Sequence, residues 1–174
     1  MKLLEARQVD VVPELDMETY SFLCQSPMLS TAEVLDAAAF WERWVPLLRA
    51  WRFGRDKGYV AVYLEEDVEK EVDALWAESQ SRAFRIEAVA QTMIMGGLRH
   101  FLPRLDRTKC APVPVPTKIL KRTVEKAGLV LHDTGTVDRK YSTLTYYPHK
   151  DGCTRCYLKE TCPKRFNWSN AGLK

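Results

Sequence analysis

Near the end of this chain three cysteines fall within ten residues, as Cys153-x2-Cys156-x5-Cys162, and Pro163 follows the last of them. No other feature restricts the fold as much, because a short loop that carries three thiols is built to close on something. A two-residue gap lets two sulfurs point into one concave turn, and Asp151-Gly152 gives the chain a tight approach to it. The five-residue gap leaves room for about one helical turn before the third sulfur returns. A fourth donor has to come from elsewhere. Cys110 is the remaining cysteine in this half of the chain, and His149 or His132 could take its place.

The other properties of the chain favour metal over disulfide. The five cysteines are an odd number, and the first residues hold no apolar run of the kind that marks a secretory leader. The expectation is therefore a cytoplasmic protein, in which clustered cysteines act as ligands rather than as paired disulfides. Cys24, alone in Phe22-Leu23-Cys24, reads as a small buried hydrophobe. No stretch approaches the roughly 20 apolar residues needed to span a bilayer, so no membrane partner is expected.

Two metal centres compete. Structural zinc usually takes two close pairs of ligands. This chain offers one close pair, a partner five residues on and one remote thiol, with a proline directly after a ligand; that arrangement favours a [4Fe–4S] cube, with zinc as the alternative. One distant and three clustered cysteines resemble the [4Fe–4S] motif of three families: the WhiB-like transcription regulators, the endonuclease III-type DNA glycosylases, and the AddB and CRISPR-associated RecB-like nucleases. The resemblance covers four positions and implies a cube on Cys110, Cys153, Cys156 and Cys162. The chain has no Gly-Val-Trp-Gly-Gly turn, no helix-hairpin-helix loop followed by a catalytic Asp, and no Asp…Glu-x-Lys constellation. The activities of those families are accordingly not implied, only an association of this cluster type with proteins that handle DNA.

Charge divides the chain in two. Residues 1–103 hold 11 Lys+Arg and 17 Asp+Glu, a balance of −6; residues 104–174 hold 15 and 6, a balance of +9. The basic part is the part with the cysteines. Its Lys118, Lys121, Arg122, Lys126, Lys159, Lys164 and Arg165 are interleaved with Tyr146, Tyr147, Phe166 and Trp168, and cations beside aromatic platforms suit nucleic-acid backbones and bases. The competing reading is a basic face docked on the acidic half of the same chain, or on an acidic partner protein.

The remaining patterns give elements. Ser30-Thr31-Ala32-Glu33 fits a capping box, with an apolar helical stripe from Val34 through Trp41 and Trp44 to Trp51 and a kink at Pro46. Residues 58–64 read as a short strand. Two helices should follow, opening on acidic Glu65-Glu66-Asp67, broken near Ser79 and Ser81, made close-packing by Gly96-Gly97 and stopped before Pro103. The proline-alternating segment 110–116 reads as a stiff strap. A short basic helix over 117–127 ends at Gly128, and residues 129–131 and 141–147 read as two strands joined around Gly135.

The expected protein is α+β: an acidic, mainly helical part over 1–103 and a basic helix-hairpin-cluster module over 104–174. Its expected role is regulatory or binding, with nucleic acid or a protein partner on the basic face. An electron-transfer or accessory subunit of a redox enzyme and a purely structural metal module are the alternatives. No phosphate loop, H-E-x-x-H or G-x-S-x-G is present, so no catalytic residues are assigned.

Overall fold

The computed structural model describes residues 2–105, 110–149 and 152–162. It is a mixed α+β fold organised on a four-stranded antiparallel sheet in the order β1-β2-β3-β4. The strands are β1 (Ala6–Val9), β2 (Leu48–Phe53), β3 (Gly58–Leu64) and β4 (Ser142–Tyr147). The alternation of side chains along them divides two cores. Leu48, Ala50, Val60, Val62 and Leu64 point to one face. Trp51, Phe53, Ala61, Tyr63 and Leu144 point to the other, in a register that pairs Trp51 with Ala61 and Ala61 with Leu144.

Four helices cover the first face: α1 (Met17–Leu23), α2 (Thr31–Trp44), α3 (Glu66–Glu78) and α4 (Gln80–Phe101). The capping box forms as expected: Ser30 Oγ accepts the Glu33 amide at 3.2 Å, and a Glu33 oxygen accepts the Ser30 amide at 2.8 Å. The break at Ser79 also stands where it was expected, its hydroxyl capping α4. In α4, Gly96 lies against the backbone of Glu14: a Cβ there would stand 2.4 Å from the Glu14 carbonyl oxygen. Glycine is what lets the segment before α1 run directly across this helix.

On the second face lie α5 (Lys118–Val124), a 3-10 turn over Glu125–Ala127, and Gly128 in the left-handed region at φ +72°. Leu120, Val124, Ala127, Leu129 and Leu131 fill the smaller core.

Two expectations change. The helix through Pro46 does not reach Trp51. It ends at Trp44, Pro46 falls in a 3-10 turn over Val45–Leu47, and residues 48–53 are β2. Proline has no amide hydrogen to continue the helix, and the Leu48, Ala50 and Trp51, Phe53 sets suit the two faces of a sheet. Residues 129–131 do not pair with 141–147 as a hairpin. Leu131 makes a single bridge to Val137, and β4 pairs with β3. The charge boundary at 103/104 therefore does not separate two sheets: the basic segment supplies the fourth strand of the sheet begun by the acidic one. β1 was not foreseen; four residues are too few for a periodic signal.

Candidate metal loop and the basic cleft beside it

A strap and a loop carry the four expected cysteines. The loop opens with the one-turn helix α6 (Gly152–Arg155), which holds Cys153, and continues through Cys156 to Cys162. The strap is the proline-rich segment from Cys110. It is fixed to the sheet where the buried Thr145 hydroxyl donates to the Pro112 carbonyl at 2.8 Å. It is fixed to the loop at Val113: the Val113 carbonyl accepts the Tyr157 amide at 2.8 Å, and the Val113 amide donates to Cys156 Sγ at 3.4 Å. The Cys110 carbonyl oxygen lies 3.4 Å from where a Cβ on Gly152 would stand. The remote cysteine thus comes back to the loop through backbone contacts, although 42 residues separate it from Gly152.

Cys110, Cys156 and Cys162 are half-buried and Cys153 is exposed, and no cysteine is in a disulfide among the described residues. Among those residues no group of three or more His, Cys, Asp or Glu side chains stands as a metal-binding set. The fold brings the strap that begins at Cys110 against the loop that carries the other three cysteines. A [4Fe–4S] cube takes thiolates of this kind, and an N–H donated to a sulfur, as Val113 gives Cys156, is the kind of bond that tunes them.

The two histidines separate. His132 is exposed at the Gly135 turn. His149 is beside the loop, its Cε1 4.0 Å from the Gly152 Cβ position, and its buried Nδ1 has no hydrogen-bond partner among the described residues. Of the two imidazoles, His149 is the one beside the loop. Lys164, Arg165, Phe166 and Trp168 lie outside the described residues.

The charges of the basic segment follow two courses. Lys140 turns inward onto the acidic helices. Its ammonium pairs with Glu87 at 3.2 Å and Asp73 at 3.4 Å, and its amide donates to Glu69 at 2.8 Å. Burial works against that charge, but Glu87 and Asp73 outweigh it and raise its pKa. Beside it, burial and then the hydrogen bond to Glu87 push the Tyr141 hydroxyl far up. Lys121 pairs with Asp133. Lys118, Arg122 and Lys126 on α5 have no carboxylate partner among the described residues.

A cleft of about 530 Å³ opens between α5, the start of β3 and the end of β4. Lys57, Tyr59, Tyr146 and Arg155 line it. The tyrosine rings are 5.3 Å apart and tilted by 38°, and the Arg155 guanidinium stands over Tyr146 at 4.6 Å. Burial, then Tyr146, raise the Tyr59 pKa, against the pull of Arg155. Arg155 belongs to the metal loop, between Cys153 and Cys156. Sequence reasoning identified Tyr146 but not Arg155, Lys57 or Tyr59. Lys57 and Tyr59 lie about 90 residues away, at the β2–β3 turn and the start of β3, and the signal that could have found them is the aromatic-basic run Lys57-Gly58-Tyr59.

No protein-family model, curated protein or solved structure matches this chain. Among the described residues no helix is long and apolar enough to cross a membrane.

Proposed function

We propose that this protein holds a [4Fe–4S] cube on Cys110, Cys153, Cys156 and Cys162, and that the basic face beside the cube binds nucleic acid in a regulatory or binding role. The observation that carries this reading is the strap. Its contacts lay the segment that begins at Cys110 against the loop that carries Cys153, Cys156 and Cys162. A bound cube supplies a covalent clamp between strap and loop and a one-electron couple responsive to its surroundings.

The residues of the chain do the rest. Thr145 positions the strap from the sheet, and Val113 holds the Cys156 sulfur. The binding half of the proposal draws on the division of charge. Lys140 is neutralised within the chain, whereas Lys118, Arg122 and Lys126, on the side of the sheet that also carries the cleft, have no carboxylate partner among the described residues. Such charge is what a phosphate backbone releases counterions to meet.

Metal and sulfide analysis of protein purified without air tests the first half. About four iron and four sulfide per chain are expected, falling steeply in Cys110→Ala. One zinc and no colour would overturn the cube and leave a structural site. Binding of a single-stranded oligonucleotide at several salt concentrations tests the second half. The logarithm of affinity should fall linearly with the logarithm of salt. No binding at low salt would overturn it.

A further inference from the structure

The cleft at the end of β3 and β4 has a composition that a general basic surface does not require. Two cations, Lys57 and Arg155, flank two tyrosines whose rings lie 5.3 Å apart and tilted, and Leu4 and Ile119 close the apolar side. Neither cation has a carboxylate partner among the described residues. Each is exposed, while both rings are half-buried, so the charges stand at the mouth and the rings form the wall. The volume of about 530 Å³ falls within the range of roughly 300–1,000 Å³ typical of small-ligand sites.

We propose that this cleft is a nucleotide subsite, in which a planar base packs on the Tyr59–Tyr146 pair and its phosphate meets Lys57 and Arg155. The proposal rests on the nucleic-acid half of the proposed function and gives it a place and a chemistry. The chemistry follows from the pairing of groups. Aromatic faces accept any base, and a guanidinium binds phosphate through two parallel N–H groups. Apolar ligands alone would leave Lys57 and Arg155 without purpose, and inorganic phosphate alone would leave the tyrosines without one. The same chemistry has two sources, a free mononucleotide or one unit of a single strand.

The position of Arg155 adds a consequence. It sits between two of the proposed cluster ligands, so the cation of the subsite is carried by the loop that the metal would hold, whereas Lys57 is carried by the β2–β3 turn.

The test is calorimetric titration of the full-length, anaerobically purified protein with adenosine monophosphate, adenosine, inorganic phosphate and a six-residue single-stranded oligonucleotide. The monophosphate should bind at least tenfold more tightly than adenosine or phosphate. Lys57→Ala and Tyr146→Leu should each weaken it about tenfold, and Lys57→Ala, outside the loop, does so without touching the cysteines. An oligonucleotide at least tenfold tighter than the monophosphate, and weakened by the same two variants, identifies a single strand as the source; equal affinities identify the free nucleotide. If the oligonucleotide binds with a steep salt dependence but neither variant changes it, the subsite is overturned while the basic face stands. If none of the four binds, both readings fall.

Discussion

Asp16 offers a direct check on the electrostatics of the helical layer. It caps α1 by accepting the Glu18 amide at 3.0 Å, and its other oxygen accepts the Thr19 hydroxyl at 2.5 Å and Arg99 of α4 at 2.9 Å. Those bonds, led by Thr19 and opposed by burial, lower its pKa from 3.8 to about 2. At about 1.4 kcal/mol for each pH unit, that difference is worth roughly 2–3 kcal/mol. The side chain is 27% exposed, and solvent screening brings the expectation to ~1–2 kcal/mol. The sign follows from linkage. A carboxyl with a lowered folded-state pKa stabilises fully above its unfolded value, near 4, and the contribution is lost as pH falls toward 2. Asp16→Asn keeps a good capping residue and removes only the charge. Urea unfolding of the two proteins should therefore differ by ~1–2 kcal/mol at pH 7 and pH 5, and by about half as much at pH 3. A gap at pH 3 equal to that at pH 7 would refute the reasoning, because the lost stability would then have come from packing rather than from charge.

Two further substitutions test how the layers and the strap are held. Gly96→Ala gains roughly 1 kcal/mol of helix propensity but drives a methyl group into the Glu14 carbonyl, and a net loss of ~1–2 kcal/mol is expected in denaturant unfolding. Gly97→Ala meets the ends of Val62, Leu48 and Val11 side chains, which can give, and should stay within about 1 kcal/mol of the wild type; equal effects at the two positions would contradict the assigned contacts. Thr145→Val keeps the shape of the strand residue and leaves the Pro112 carbonyl without its donor, at a cost of roughly 1–3 kcal/mol. It should also lower iron retained per chain, whereas Ser30→Ala, destabilising by ~1 kcal/mol at a distant cap, should not.

Much of the local structure was legible because it is written locally. A capping box spans four residues, a helix break needs only a serine cap, and Gly128 had only one turn to end. The strand at 58–64 announced itself by β-branched and aromatic content directly after the Gly54–Gly58 break. What could not be read was partnership. Residues 48–53 carry apolar side chains at positions that fit a helix stripe as well as two faces of a strand, and the choice is made by β1 and β3 on either side. The same reason defeated the hairpin. β4 had a nearer candidate in residues 129–131, but β3 offered a full-length edge, and residues 129–131 were drawn instead into the core under α5. At the site, the cysteine spacing and the strap were visible in the chain, while Lys57 and Tyr59 reached Arg155 and Tyr146 only through the pairing of β3 with β4.

That pairing also joins the acidic and basic segments in one sheet. Had the basic segment folded apart, its cations would have had the whole acidic half as an exposed partner. Instead β4 joins the sheet, and the loop preceding it brings Lys140 within reach of α3 and α4, so one lysine meets Asp73 and Glu87 at the edge of the larger core. The cations of α5 lie across the sheet from that acid and cannot follow. The sheet therefore sorts basic residues by face: Lys140, on the side of α3 and α4, pairs with acid from both helices, whereas on the side of α5 Lys121 meets Asp133 and Lys118, Arg122 and Lys126 have no carboxylate partner among the described residues. An overall charge of +3 conceals this arrangement, whereas the order of four strands produces it.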